Sequence, residues 1–221
     1  MELPQLSLLQ TRVLGVLVEK QRTVADTYPL TLNALTAGCN QKTSRDPLLD
    51  VSIADVQSAL DELRSLSLLI ETSGGRVMRY AHNIERVLAI PSQAVAVLAT
   101  LMLRGPQTVG ELRTNCERLH RFADTSALEA FLAELSTRPA GALVAELPRQ
   151  PGARENRWAH LLSGPPVLAQ EPSQHSQVSA ASEFTELKAT VNRLEDELAE
   201  LKLAVAELRI ELGRKGSASG V

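Results

Sequence analysis

The sequence predicts a mainly α chain with small β elements, an α+β fold in which one module occurs twice and a long C-terminal helix follows. Three observations carry that prediction. Apolar residues recur at helical spacing in six segments before residue 140. Two stretches some 77 residues apart share exact internal spacings, and beyond residue 183 apolar residues alternate in steps of three and four for four heptads.

Taken in order, Leu9, Val13, Val16 and Leu17 give a first helix between Leu6 and Lys20. Thr31 is a helix-capping residue followed by Leu32, Leu35 and Cys39 on one face, so a second helix ends near Gly38 to Asn40. The polar stretch NQKTSRDP turns the chain. Ser52, with Asp55 three residues on, opens a third helix whose buried stripe is expected to hold Ile53, Val56, Leu60 and Leu63. LSLLIETSGGRVMRYAH then reads as strand, Gly74-Gly75 turn and strand. Three helices and a hairpin is the order of a winged helix-turn-helix domain, in which the third helix is the usual recognition helix and the hairpin is the wing.

The order returns. Pro91 to Leu103 is a helix, Thr108 caps another carrying Val109, Leu112 and Cys116, and Asp124 or Ser126 caps a third with Leu128, Leu132 and Leu135. ALVAELPRQPGARENRWAHLL closes with strand, Pro/Gly/Arg loop and strand. Leu32, Leu35 and Cys39 match Val109, Leu112 and Cys116 at an offset of 77, and Arg79-Tyr80-Ala81-His82 matches Arg157-Trp158-Ala159-His160 at 78. The expected organisation is a first winged-helix domain at 1–88 and a second at 89–163.

Residues 164–182 are rich in Pro, Ser, Gln and Ala, with too little apolar surface to offset the entropy of ordering, and read as a flexible linker. Residues 183–213 read as a coiled-coil helix and 214–221 as a disordered tail. The a positions are Phe184, Val191, Leu198, Val205 and Leu212, and the d positions are Leu187, Leu194, Leu201 and Leu208. In a parallel pair, Glu183 and Glu197 at g meet Lys188 and Lys202 at e of the partner helix, which favours a parallel homodimer. The alternative is that this helix folds back on its own winged helices.

Composition restricts the function. The 221 residues carry a net charge of −3, so nucleic acid is not bound through a global basic field. Two cysteines without a CxxC pair fit a reducing, cytoplasmic setting, and the N-terminus has neither a basic leader nor a membrane-length apolar run. No phosphate-binding glycine loop, GxSxG or HExxH motif occurs, so an enzyme is not expected. No His/Cys cluster has metal-ligand spacing, and no cofactor is expected. Cys39, Cys116, Tyr80 and Trp158 read as core residues.

The segments EKQRTVADTYPLTLNALTAGCNQKTSRDP, RYAHN, HRFAD and LPRQPGARENRWAHLL resemble the YceH-type proteins, a bacterial family of tandem winged-helix proteins, over about residues 6 to 162. The resemblance implies the fold and a place among DNA-binding-like winged helices. It brings no catalytic or ligand residue.

Candidate contacts follow from charge. Both third helices face outward with acids: Asp55, Asp61 and Glu62 with one base, Arg64, in the first, and Glu129 and Glu134 in the second. Such faces repel phosphate and argue against ordinary major-groove insertion. Bases lie on loops and wings: Lys42 and Arg45 after helix two; Arg76 and Arg79 on the first wing; Arg113, Arg118 and Arg121 around the second copy's helix two; Arg149, Arg154 and Arg157 on the second wing. They are the candidate DNA or anion contacts, unless they pair with Asp46, Glu117, Asp124 and Glu155 as ordinary surface ions. Residues 89–166, with eight basic and seven acidic residues, form the only segment with a positive balance. Two readings stand: a transcription-regulatory dimer gripping DNA phosphates through wings and loops, or a protein-interaction scaffold whose acidic face Asp55, Asp61 and Glu62 docks a basic partner.

Overall fold

The computed structural model describes residues 5–73 and 77–164. The Gly74-Gly75 turn, Arg76, the linker beyond Gly164, the heptad seam from Phe184 to Leu212 and the tail lie outside the described residues.

Helix α1 spans Leu8–Thr23, opened by a capping box in which Ser7 Oγ accepts from the Gln10 amide and Gln10 Oε1 accepts from the Ser7 amide. A two-residue strand β1, Leu30–Thr31, leads into α2, Leu32–Cys39, with Thr31 as its cap. Helix α3 is Ile53–Ser65, and its Ser52–Asp55 capping box forms as the spacing predicts. Strands β2, Leu69–Ser73, and β3, Met78–His82, pair antiparallel with Leu69 opposite His82, and β1 adds on the far side of β3. A short helix α4, Ile84–Leu88, was not legible in the pattern. The second half repeats the order with α5, Ser92–Arg104; α6, Val109–Cys116; α7, Thr125–Ser136; β4, Val144–Leu147; and β5, Arg157–His160. Asp124, of the two cap candidates, accepts from the Ala127 amide. Helices and small antiparallel sheets together make an α+β fold.

The two halves also correspond in register. Leu30 pairs with Tyr80 in the first, and Gln107 forms an isolated bridge with Trp158 in the second, the same offsets of 77 and 78 that the sequence shows.

The halves meet along α1 and α5, whose packing is the most extensive between any two helices, and form one compact unit. Gln10 to Val18 of α1 and Ala94 to Leu103 of α5 are buried on every side, the signature of helices inside a core rather than on its surface. Close approach needs small residues. A Cβ on Gly15 would lie 2.9 Å from Leu103 Cγ, and one on Gly38 would lie 2.6 Å from Val16 Cγ1, so α1 is fitted against α5 on one side and α2 on the other. The Asp46 amide donates to Leu103 O (2.8 Å) and the Leu6 amide to Leu162 O (2.7 Å), adding backbone ties across the unit.

One stripe prediction fails. Ile53 is 51% exposed, whereas Val56, Ala59, Leu60 and Leu63 are buried. It is the first residue of α3, and side chains lean toward the helix N-terminus, so Ile53 projects past the cap and stays half exposed.

Candidate functional site

The basic residues that the sequence treats alike separate into three kinds. Arg45 is the clearest correction: it is not available to a phosphate. Its side chain is wholly buried, with Nη2 2.6 Å and Nη1 3.1 Å from the Glu19 carboxylate, and it also donates to Gly38 O and Ser44 O. Burial pushes the Glu19 carboxyl up, but the hydrogen bond and charge of Arg45, joined by Lys20, outweigh it and hold Glu19 below the usual range. The NQKTSRDP loop is therefore pinned to α1 from within. Arg12, also fully buried, pins the other end of that region by donating to Pro47 O (2.6 Å) and Cys39 O (3.4 Å).

Arg79 and Arg157 are equivalent clamps. Arg79 Nη1 donates to Pro29 O at 2.8 Å and Arg157 Nη1 to Pro106 O at 2.8 Å, positions related by the repeat. Each ties its last strand to the turn that precedes its second helix. Arg157 also pairs with Glu111 at 3.1 Å. Repetition of these arginines thus has a structural cause.

The third kind is exposed: Lys42, Arg113, Arg118, Arg121, Arg149 and Arg154. Among the described residues only Arg121 of this group reaches a carboxylate, Glu117 at 3.8 Å, in an open helical pair worth little. Arg113 and Arg121 line, with Thr114, Glu117 and Phe122, a shallow cavity of about 210 Å³. Phe122 is buried there, edge-on to both His120 and Phe131, which fixes the chain as it leaves α6. Arg118 lines a different cavity, on the α1 side. Arg149 and Arg154 stand on the loop between β4 and β5.

The acidic residues of α3 are exposed but occupied. Asp55 completes the helix cap, Asp61 lies 3.3 Å from Arg64, and Glu62 accepts from Gln10 Nε2. Arg64 also reaches Glu71 at 3.2 Å. In α7, Glu129 and Glu134 are exposed.

Buried titratable groups complete the picture. Cys39 and Cys116 are free and buried, and burial pushes the Cys39 thiol up to about 12 and the Cys116 thiol upward too, so neither supplies a thiolate near neutral pH. His82 and His160, equivalent by the repeat, are pushed down to about 4, by burial in both cases and additionally by Arg22 at His82. Each has a buried Nδ1 without a partner among the described residues. No group of three or more His, Cys, Asp or Glu that could hold a metal occurs among the described residues. No helix among them is long and apolar enough to cross a membrane.

In sequence the chain is similar to bacterial proteins of one family. Residues 6–153 match the family described as "Protein of unknown function, DUF480". A UPF0502 protein of Dechloromonas aromatica is 58% identical over 204 residues, covering 92% of this chain and 96% of its own. A UPF0502 protein of Burkholderia orbicola is 56% identical over 222 residues, covering 99% and 94%, and one of Burkholderia multivorans is 55% identical over 221 residues with the same coverage.

Proposed function

The chain belongs to the DUF480 family of bacterial UPF0502 proteins, and from its geometry we propose that it is a non-enzymatic, cytoplasmic tandem winged-helix protein that associates with DNA through phosphate contacts of its second half. The repeated order of three helices and a hairpin, with matched register at Tyr80 and Trp158, supports the winged-helix reading. The observation that carries the DNA reading is the set Arg113, Arg118, Arg121, Arg149 and Arg154, exposed and nearly free of acidic partners among the described residues. Sorting the bases shortens the contact set, since Arg45 is buried and Arg79 and Arg157 hold strands. Acidic α3 and α7 point to backbone contact, not base reading.

The test is fluorescence anisotropy of the full chain with a mixed-sequence duplex across a salt series. Binding should weaken steeply with salt, and Arg149→Ala with Arg154→Ala should reduce the log–log slope by about 2. Unchanged affinity and slope in that variant would remove the second hairpin loop from the interface.

A second reading is supported by Ile53 and Leu66, 51% and 37% exposed at the two ends of α3, beside Asp55, Asp61 and Glu62. Apolar and acidic residues together fit a basic protein partner better than phosphate. No duplex binding at low salt would put this scaffold reading first. Either reading uses the heptad segment as a parallel homodimer, and truncation before Phe184 should convert dimer to monomer in light scattering; a truncated dimer would place the interface in the helical unit.

A further inference from the structure

Where the two halves meet, a second cavity of about 210 Å³ opens between the C-terminal end of α1, the 41–44 loop, α5 and the residues just after α6. Three cations reach it from three elements distant in sequence: Lys20 on α1, Arg104 at the end of α5, and Arg118 beyond α6. Glu19 is the one carboxylate in its lining, and that charge is already shared between buried Arg45 and Lys20, the latter at 3.3 Å. Among the described residues, three lining cations, with Arg45 buried behind the wall, therefore share one carboxylate. Arg104 and Arg118 form no ion pair among the described residues. Burial first, and then the positive charge of Arg45, push the Arg104 guanidinium below its ordinary value, and the attraction of Glu19 only partly offsets them.

The walls are built, not adventitious. On one side Gln41 donates to Thr43 O and Thr43 Oγ1, and accepts from Lys20, while Arg45 grips Ser44 O from beneath. On the other, Asn115 donates to Gln107 Oε1 at 2.7 Å, and Gln107 in turn donates to Thr100 O and Gly105 O. The cleft thus carries a net positive balance with Arg104 and Arg118 unpaired among the described residues, an arrangement that suits oxyanions.

We infer that this junction cleft binds a small, multiply charged phosphate group, with Lys20, Arg104 and Arg118 as its cationic ligands. The cleft, about 210 Å³, has room for a phosphate or pyrophosphate moiety. Because the first half supplies Lys20 and the 41–44 loop while the second supplies Arg104 and Arg118, an occupant favours the arrangement in which these converge. The cleft is then an effector site, separate from the Arg149 and Arg154 loop, and its existence does not depend on DNA binding.

The experiment is calorimetric titration of the full chain with sodium pyrophosphate, against sodium chloride at matched ionic strength, alongside thermal unfolding. Saturable binding near one per chain and a rise in the unfolding midpoint are expected with pyrophosphate alone. Arg104→Gln and Lys20→Gln should each weaken binding at least tenfold with an unchanged circular dichroism spectrum, and Arg86→Gln, on an exposed side chain of α4, should leave binding unchanged. Arg118→Gln, on an exposed side chain, serves where either of the first two fails to fold. Equal heats from chloride and pyrophosphate, or equal affinity in the cleft variants, overturn the inference. A duplex arm separates the sources: if duplex displaces pyrophosphate and the Lys20 and Arg104 variants, which alter no residue of the DNA contact set, lose duplex binding in proportion, the phosphate belongs to a nucleic-acid backbone and the effector reading falls.

Discussion

Acidification should destabilise this protein through His82 and His160 in an amount the structure allows to be worked out. His82 Nε2 lies 2.7 Å from Gln21 Oε1; in the tautomer that donates from Nε2 to that oxygen, Nδ1 is a bare acceptor, buried and without a partner among the described residues. Adding a proton there creates a buried cation near Arg22 with no acceptor for its new N–H. The folded value of about 4 lies below the ordinary 6.5, so the unfolded chain binds more protons between those limits, and stability falls as pH falls through that window. For one histidine the loss on going from about pH 7 to about pH 5 is about 2 kcal/mol, approaching about 3 kcal/mol below pH 4. Two such sites together are a large part of a typical domain's margin.

Urea unfolding at the two pH values, on the parent and on His82→Gln and His160→Gln, isolates this contribution, because carboxylates such as Glu19 contribute equally to all three. Each variant should lose about 2 kcal/mol less than the parent on acidification. Identical losses in parent and variants would refute the argument, since the two imidazoles would then be protonated as readily in the folded protein as in the unfolded chain.

Glu19→Gln leaves the buried Arg45 guanidinium charged and facing a neutral amide, and should cost about 3 kcal/mol or more in chemical denaturation; a loss below about 1 kcal/mol would mean that the backbone carbonyls around Arg45 suffice. Gly38→Ala sets a methyl 2.6 Å from Val16 Cγ1 and should destabilise by about 1–3 kcal/mol. Val16→Ala in the same chain should recover part of that loss, and a purely additive double variant would place the clash elsewhere.

Local chemistry was the legible part. Thr31, Ser52, Thr108 and Asp124 cap helices because a short polar side chain needs only the amide three residues on. The period of the apolar residues located the six longer helices, and exact spacing between copies anticipated the register that Tyr80 and Trp158 share. What stayed hidden depends on residues far apart in the chain. Lys20 and Arg104 sit in last turns, where a base is already accounted for by the helix dipole, so neither stood out until α1 and α5 packed and brought them to one cleft with Arg118.

The sequence by itself therefore determined the six longer helices and the hairpin of each half, their repetition and the sign of each surface segment, but not β1 or α4, since caps, periodicity and charge are set within a few residues. Tertiary structure alone decided what each charge does. Arg45, Arg79, Arg149 and Arg104 look equivalent as letters, yet one is buried against Glu19, one clamps Pro29, one is exposed and one faces a cleft. The interaction energy of a charge depends on its distance to other charges and on its burial, and both are properties of packing.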